Sequence, residues 1–345
     1  MTAVSAIPAP SIATVRARVQ RRRLVVGVGV GIAVVLLAAI SLSVGEYALT
    51  PADLWRTLWS GGTRIESYVV FQVRAPRLAM GLLVGACLGV AGALLQSLLS
   101  NSLASPDLLG ISGGAGVAAV FGILILGVGG PVLALFAFVG GLVVAGFLLL
   151  AGRRGDGDYR LIVAGVGISF LCAAITSYLM VRAKVELAQS ALIWLTGSLA
   201  STPWWNVLVV LVVGVLSIPA VVACARWLPL TQLGPGTAVS LGVRPGLVRI
   251  VAVVVAVLLT ATTCAFVGPI SFVALCAPAI ARPLLGHGAV GLGTSAGAGA
   301  ALLVAADLVA QYAIPGVSLP VGVVTGAIGS LFLLWLLTTS KGRHL

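Results

Sequence analysis

Ten apolar runs, each about the length of one bilayer crossing, occupy most of this 345-residue chain. They are Leu24–Val44, Leu78–Leu99, Leu108–Val128, Val132–Ala151, Leu161–Val181, Trp205–Ala225, Val248–Val267, Ile270–Leu285, Leu292–Ala313 and Leu319–Thr338. A helix of about 20 apolar residues matches the hydrocarbon thickness of a bilayer. Hydrophobic residues make up 60% of the chain and charged residues only 8%. A soluble domain cannot hide that much apolar surface, so a soluble enzyme, a disordered chain and a secreted disulfide scaffold are excluded. In lipid the backbone must satisfy its own hydrogen bonds, so long apolar runs imply an all-α polytopic membrane protein of about ten spans. The eighth run is short and interrupted by Pro278, which predicts a broken helix.

Arg16, Arg18, Arg21, Arg22 and Arg23 precede the first run. That run is too long for a signal-peptide core, and no A-x-A cleavage site follows it, so it reads as an uncleaved first span. Residues 1–23 read as a basic cytoplasmic tail and residues 24–345 as a single transmembrane domain. Ten spans put both termini on one side of the membrane. With the N-terminus inside, 14 basic residues are internal: the five of the tail, then Arg153, Arg154, Arg160, Arg226, Arg244, Arg249, Arg282, Lys341 and Arg343. Six are external: Arg56, Arg64, Arg74, Arg77, Arg182 and Lys184. The positive-inside bias therefore places both termini in the cytoplasm. The net charge of +12 is spread over several loops without interleaved aromatics, which excludes a nucleic-acid partner.

Cys87, Cys172, Cys224, Cys264 and Cys276 all lie in apolar runs, with no CxxC pair. His287 and His344 stand far apart, without a carboxylate cluster. No metal site and no catalytic constellation is indicated. The chain has no GxxxxGK[ST] loop, so it does not itself hold ATP.

Three kinds of segment depart from plain lipid helices. Leu187–Leu199 suits a short helix at the outer interface, anchored by Trp194, Trp204 and Trp205. The inner connection Leu230–Val243 is either an ordinary loop or a short helix–turn–helix touching a soluble partner; spacing alone leaves both open. Gln96–Gly116 and Gly268–Gly286 are rich in Gly and Pro and lie in opposite halves of the chain. Paired irregular segments of this kind signal an inverted repeat around a transport path. Asp307 lies near the middle of the ninth run. It is either a proton or cation site or a structural carboxylate held by a neighbouring helix. The second reading is favoured, because ion-coupled carriers gather several ionisable groups at mid-depth.

These segments carry recognisable motifs: V-R-A-P-R at Val73–Arg77, G-A-L-L-Q at Gly92–Gln96 and N-S-L-A-S-P-D-L-L-G at Asn101–Gly110. W-L-T-G-S-L follows at Trp194–Leu199, then G-P-I-S-F-V-A-L-C-A-P at Gly268–Pro278, A-D-L-V-A at Ala306–Ala310 and L-P-V-G-V-V-T-G-A-I-G at Leu319–Gly329. In this order, from about Gly45 to Leu337, the chain resembles the permeases of type II ABC importers, the iron–siderophore and vitamin B12 family. Its S-P-D-L-L-G and W-L-T-G-S-L forms look more like ferric, catecholate-type siderophore permeases than the vitamin B12 branch.

The resemblance implies a multi-pass permease subunit in a bacterial cytoplasmic membrane that moves a ferric siderophore by alternating access and does no covalent chemistry. It implies a second permease subunit, more readily a paralogue than an identical copy, two cytoplasmic ATPase subunits and an external binding protein. This chain then binds no cofactor; ATP and magnesium belong to the ATPases. Arg74 and Arg77 match the family's arginines that engage carboxylates of the binding protein, and Gln311 replaces a third. Residues 228–246 match the segment that couples to the ATPase, with Leu233, Gly234, Ala238, Leu241 and Gly242 retained. Pro235 and Gly236 replace acidic residues there, and Val239 replaces an arginine. Asn101-Ser102 replaces Asn-Pro, and Ala279 and Pro283 replace polar or basic residues, which points to a divergent member with its own matched ATPase. Gln96, Asn101, Pro106, Gly268, Pro269 and Pro278 mark the expected translocation path. The rival readings are the same machinery carrying vitamin B12, haem or another metal chelate, and an ion-coupled secondary transporter using Asp307.

Overall fold

The computed structural model describes residues 12–45, 47, 49–151, 157–200, 202–286 and 290–340. Arg153, Arg154, His287, Lys341, Arg343, His344 and the first eleven residues of the expected tail lie outside the described residues. Among the described residues the regular structure is helical. The helices are α1 (Ile12–Ser43), α2 (Pro51–Ser60), α3 (Arg64–Tyr68), α4 (Ala75–Leu98), α5 (Ile111–Leu124), α6 (Gly130–Ala151) and α7 (Gly157–Val181). They continue with α8 (Val185–Leu195), α9 (Trp204–Thr231), α10 (Pro235–Ser240), α11 (Pro245–Val267), α12 (Val273–Leu285), α13 (Leu292–Tyr312) and α14 (Val321–Ser340). We call the face where α1 begins proximal and the face where it ends distal.

Each of the ten apolar runs contains one long or short apolar helix, but the spans are unequal. Seven helical stretches among the described residues are long and apolar enough to cross a bilayer. The runs holding α5, α12 and α14 give shorter apolar helices. For α5 and α12 the reason is local. Gly110 at the start of α5 has φ 78° and Phe272 at the start of α12 has φ 67°. A left-handed residue ends the preceding backbone path and forces a new helix to begin.

Three boundaries differ from expectation. α1 starts at Ile12, so Arg16–Arg23 stand on the same helix as the first span rather than on a separate tail. α9 continues past Ala225 to Thr231, through Pro219 and Pro229. α4 is the end of one continuous helix, Arg64–Leu98, whose residues Val69–Arg74 form a π turn. Pro76 follows at once; it has no N–H for the carbonyl four residues back, and the widened turn accommodates that loss.

The distal helices α2 and α3 were not anticipated. Both begin with a capping box, Thr50 with Asp53 and Thr63 with Glu66. The Thr50 hydroxyl holds the Asp53 carboxyl below the usual carboxylate range. Trp55 and Trp59 stack at 4.6 Å and are exposed, as suits a helix lying in the interface.

α4 is the centre of the bundle and packs against α9, α11, α12 and α13. Its glycines make this possible. A Cβ on Gly85 would collide with the backbone of Gly299, one on Gly89 with Ser295, and one on Gly92 with Ala274. Backbones this close exclude any side chain, and dispersion between them replaces the hydrophobic drive that lipid does not supply. α5 and α6 meet in the same way at Gly114 and Gly140. Elsewhere large apolar side chains face outward, including Leu24, Val28, Ile32, Leu36, Phe170 and Leu216. Such a belt is stable only against lipid.

Candidate functional site

Three polar groupings interrupt the apolar bundle. The first is distal, at the start of α4. Arg77 and Asp307 form a bidentate ion pair, with Nη2–Oδ1 at 2.8 Å and Nε–Oδ2 at 3.0 Å. Gln311 adds a donor to Asp307 Oδ2 at 2.8 Å. The Asp307 side chain is 6% exposed and the Arg77 side chain 22%. Arg74 donates to the carbonyls of Leu42, Ser43 and Tyr47, which closes the open end of α1. The Tyr312 hydroxyl donates to the Val44 carbonyl beside it. The π turn before Pro76 thus sends the two arginines of V-R-A-P-R to different internal acceptors, which was not expected of docking residues. Asp307 lies in the last two turns of α13, and its charge is matched by Arg77 on a neighbouring helix.

The second grouping joins the two broken helices. The Ser112 hydroxyl donates to Asp107 Oδ1 at 2.6 Å, and the backbone N–H of Phe272 is directed at the same carboxylate. Phe272 is a bulky residue in the left-handed region, a conformation that persists only when its surroundings impose it. Its N–H faces the Asp107 carboxylate on one side, and its ring lies against Gly329 on the other. In the sequence Pro106 and Asp107 read as a helix-start signal for the third span; the approach of Asp107 to Phe272 in the other half of the chain has no sequence signal. Of the expected path residues, Gln96, Pro106, Gly268 and Pro278 are buried inside the subunit, while Asn101 and Pro269 are half-buried. The four buried residues shape the broken helices. Gly268 has φ 73° and presses on the Trp194 carbonyl, where no side chain fits.

The third grouping is proximal. α10 is a short helix between α9 and α11, flanked by Gly234 at φ 103° and Gly242 at φ 79°. The segment Leu230–Val243 thus holds one short helix with a glycine turn on each side. Ala238 on α10 is buried, whereas Leu233, Val239 and Leu241 are exposed. Beside it, Gln232 donates to the Ser97 carbonyl at 3.1 Å and Arg282 donates to the Ser97 hydroxyl at 2.8 Å.

A cavity of about 460 Å³ opens near the distal end, between α8 and the end of α11. It is lined by Leu133, Leu187, Ser190, Trp194 and Phe266 among others, with no charged side chain.

The family model for the FecCD transport family matches residues 32–339. The chain belongs to the FecCD transport family. As a member it is a multi-pass membrane transport component rather than an enzyme. The ferric enterobactin transport system permease FepG of Escherichia coli K12 is 38% identical over 92% of this chain and 96% of its own length. The Fe(3+) dicitrate transport system permease FecD of the same organism is 39% identical over 83% and 91%. The vitamin B12 import system permease BtuC of Vibrio cholerae is 35% identical over 88% and 92%. A solved chain described as an inward-facing conformation of a metal-chelate type ABC transporter superposes with a TM-score of 0.82, at 26% identity, over 91% of this chain and 98% of that one. Family and fold agree with the resemblance carried by the motifs.

Proposed function

We propose that this FecCD-family chain is the permease subunit of an ATP-driven importer that carries a ferric siderophore across a bacterial cytoplasmic membrane. The observation that carries the reading is the near full-length similarity to a ferric enterobactin permease, over 92% of this chain. The geometry supports it in two places. α10 presents Leu233, Val239 and Leu241 outward on a proximal face that carries most of the arginines, as a segment docking into an ATPase groove requires. The distal face, which meets the external binding protein, exposes Arg64, Arg182 and Lys184, while Arg74 and Arg77 are held internally. Docking cations at a rim steer association more than they add affinity. Two permease subunits, most readily paralogues, enclose the path, and both termini face the cytoplasm.

The ion-coupled reading loses its support with the pairing of Asp307. Asp307 stands alone among ionisable acids in α13 and is held by Arg77 and Gln311, as a structural carboxylate is.

Co-purification tests the reading. The chain with its ATPase should elute as one complex, and Val239→Asp with Leu241→Asp should abolish association while leaving the melting temperature unchanged. Both side chains are exposed, so their replacement removes a docking surface and no core. Retained association of the double variant would remove α10 from the ATPase interface.

A further inference from the structure

We propose that Gln232, Ser97 and Arg282 form the link through which movement of α10 reaches the core of the subunit. The inference rests on the permease reading above and names residues within it. Gln232 caps the end of α9, immediately ahead of α10. Gly234 and Gly242, both in the left-handed region, bound α10 as pivots, so its one and a half turns can move as a block.

The body to be moved is α4 with α12 and α13. Their backbones touch at Gly85 with Gly299, Gly89 with Ser295 and Gly92 with Ala274. Seams without intervening side chains have no rotamers to change, so these three helices shift together or not at all. Ser97 lies at the proximal end of that body, in the last turn of α4. Its carbonyl takes the amide of Gln232 at 3.1 Å from the α10 side. Its hydroxyl takes Arg282 Nη2 at 2.8 Å from α12, and the same nitrogen reaches the Ala93 carbonyl at 3.2 Å. One residue thus bonds the segment leading into α10 and, separately, the far helix of the rigid body.

The link also has spare capacity. Gln96 Oε1 and Arg282 Nε are buried without a partner, one an acceptor and the other a donor. Gln96 already gives its Nε2 to the Leu275 carbonyl at 3.2 Å, so both orphans belong to the α4–α12 seam beside Ser97. Unmade buried hydrogen bonds are costly, and a second arrangement that makes them offsets the loss of those made here. A junction with complementary unmet groups is suited to two states; the glycine seams beside it are suited to one.

The test uses the complete complex of this permease, its partner permease and ATPases in proteoliposomes with the binding protein. Uptake of radioiron as ferric enterobactin or ferric dicitrate and ATP hydrolysis are measured together. Gln232→Leu removes the donor to Ser97 and should lower uptake per ATP hydrolysed by about fivefold, the worth of one hydrogen bond. Assembly and basal hydrolysis should persist. Arg282→Gln should do the same, and Arg282→Lys, which keeps a cationic donor to Ser97, should restore most of the ratio. If Gln232→Leu does not assemble, Gln232→Glu decides, since it keeps the side chain's length and removes the donor to the Ser97 carbonyl. An unchanged ratio in the decisive variant, or a fall of uptake and hydrolysis in equal proportion, would overturn the link while leaving the permease reading intact. Failure of the parent complex to couple uptake to ATP would overturn both.

Discussion

Gly85→Ala and Gly299→Ala will each sharply reduce the yield of folded protein, whereas Gly81→Ala, one turn away on the same face of α4, will leave it intact or raise its melting temperature. The contrast follows from what a single methyl group meets. At Gly85 it runs into the Gly299 backbone, and at Gly299 into the Gly85 carbonyl; neither is a flexible side-chain end. Overpacking of this kind costs about 1–3 kcal/mol when the backbone can move aside. Here the seam is continuous through Gly89 and Gly92, so relief at one contact worsens the next. At Gly81 the nearest atoms are Leu199 Cδ1 at 3.4 Å and Val304 Cγ2 at 3.5 Å, ordinary contact distances. There alanine adds packing and removes about 0.5–1 kcal/mol of the helix-interior penalty of glycine. Fluorescence-detected gel filtration and thermal melts of the detergent-solubilised variants check both. Equal behaviour of Gly81→Ala and Gly85→Ala would show that the α4–α13 seam is looser than the glycine contacts require.

The Arg77–Asp307 pair predicts an asymmetry. Arg77→Leu strands a carboxylate that is 6% exposed, and breaking a buried pair from that side costs about 3–5 kcal/mol. Asp307→Asn leaves an arginine that is 22% exposed and can turn its head to water, so the loss is nearer about 1–2 kcal/mol. Arg77→Leu with Asp307→Leu should recover most of the stability, because removing both charges removes the desolvation each suffers. Melting temperatures of the three variants should rank in that order, with Arg77→Leu lowest. A carrier that cycles a proton on Asp307 would behave otherwise, with Asp307→Asn stable and inactive. The distal ties also change the meaning of charge reversal at V-R-A-P-R. Arg74→Glu would open the end of α1, so lost docking in that variant would report a damaged subunit and not a missing docking contact.

The spans were legible in the sequence because lipid imposes a length and a composition that no other solvent imposes. The short twelfth helix was legible through Pro278, and the paired irregular segments through their Gly and Pro content. What spacing could not show is which distant residues meet. Arg77 and Asp307 lie 230 positions apart, and Asp107 is tied to Phe272 in the other half of the chain. Such pairings depend on how helices stack, and the apolar periodicity of one helix carries no record of its neighbour. Asp307 shows the same limit: its apolar run suggests a carboxylate held by a neighbouring helix, but not that Arg77 on α4 holds it. The distal helices α2 and α3 are too short and polar to register as spans; only their capping boxes mark them in the sequence.

Uptake of a radioiron chelate into proteoliposomes containing the permease, its ATPases and the binding protein tests the central claim most directly. With ATP on the proximal side and ion gradients collapsed by ionophores, the account predicts sustained uptake that stops when ATP is withheld. Uptake that proceeds without ATP and vanishes with the ion gradients would contradict it.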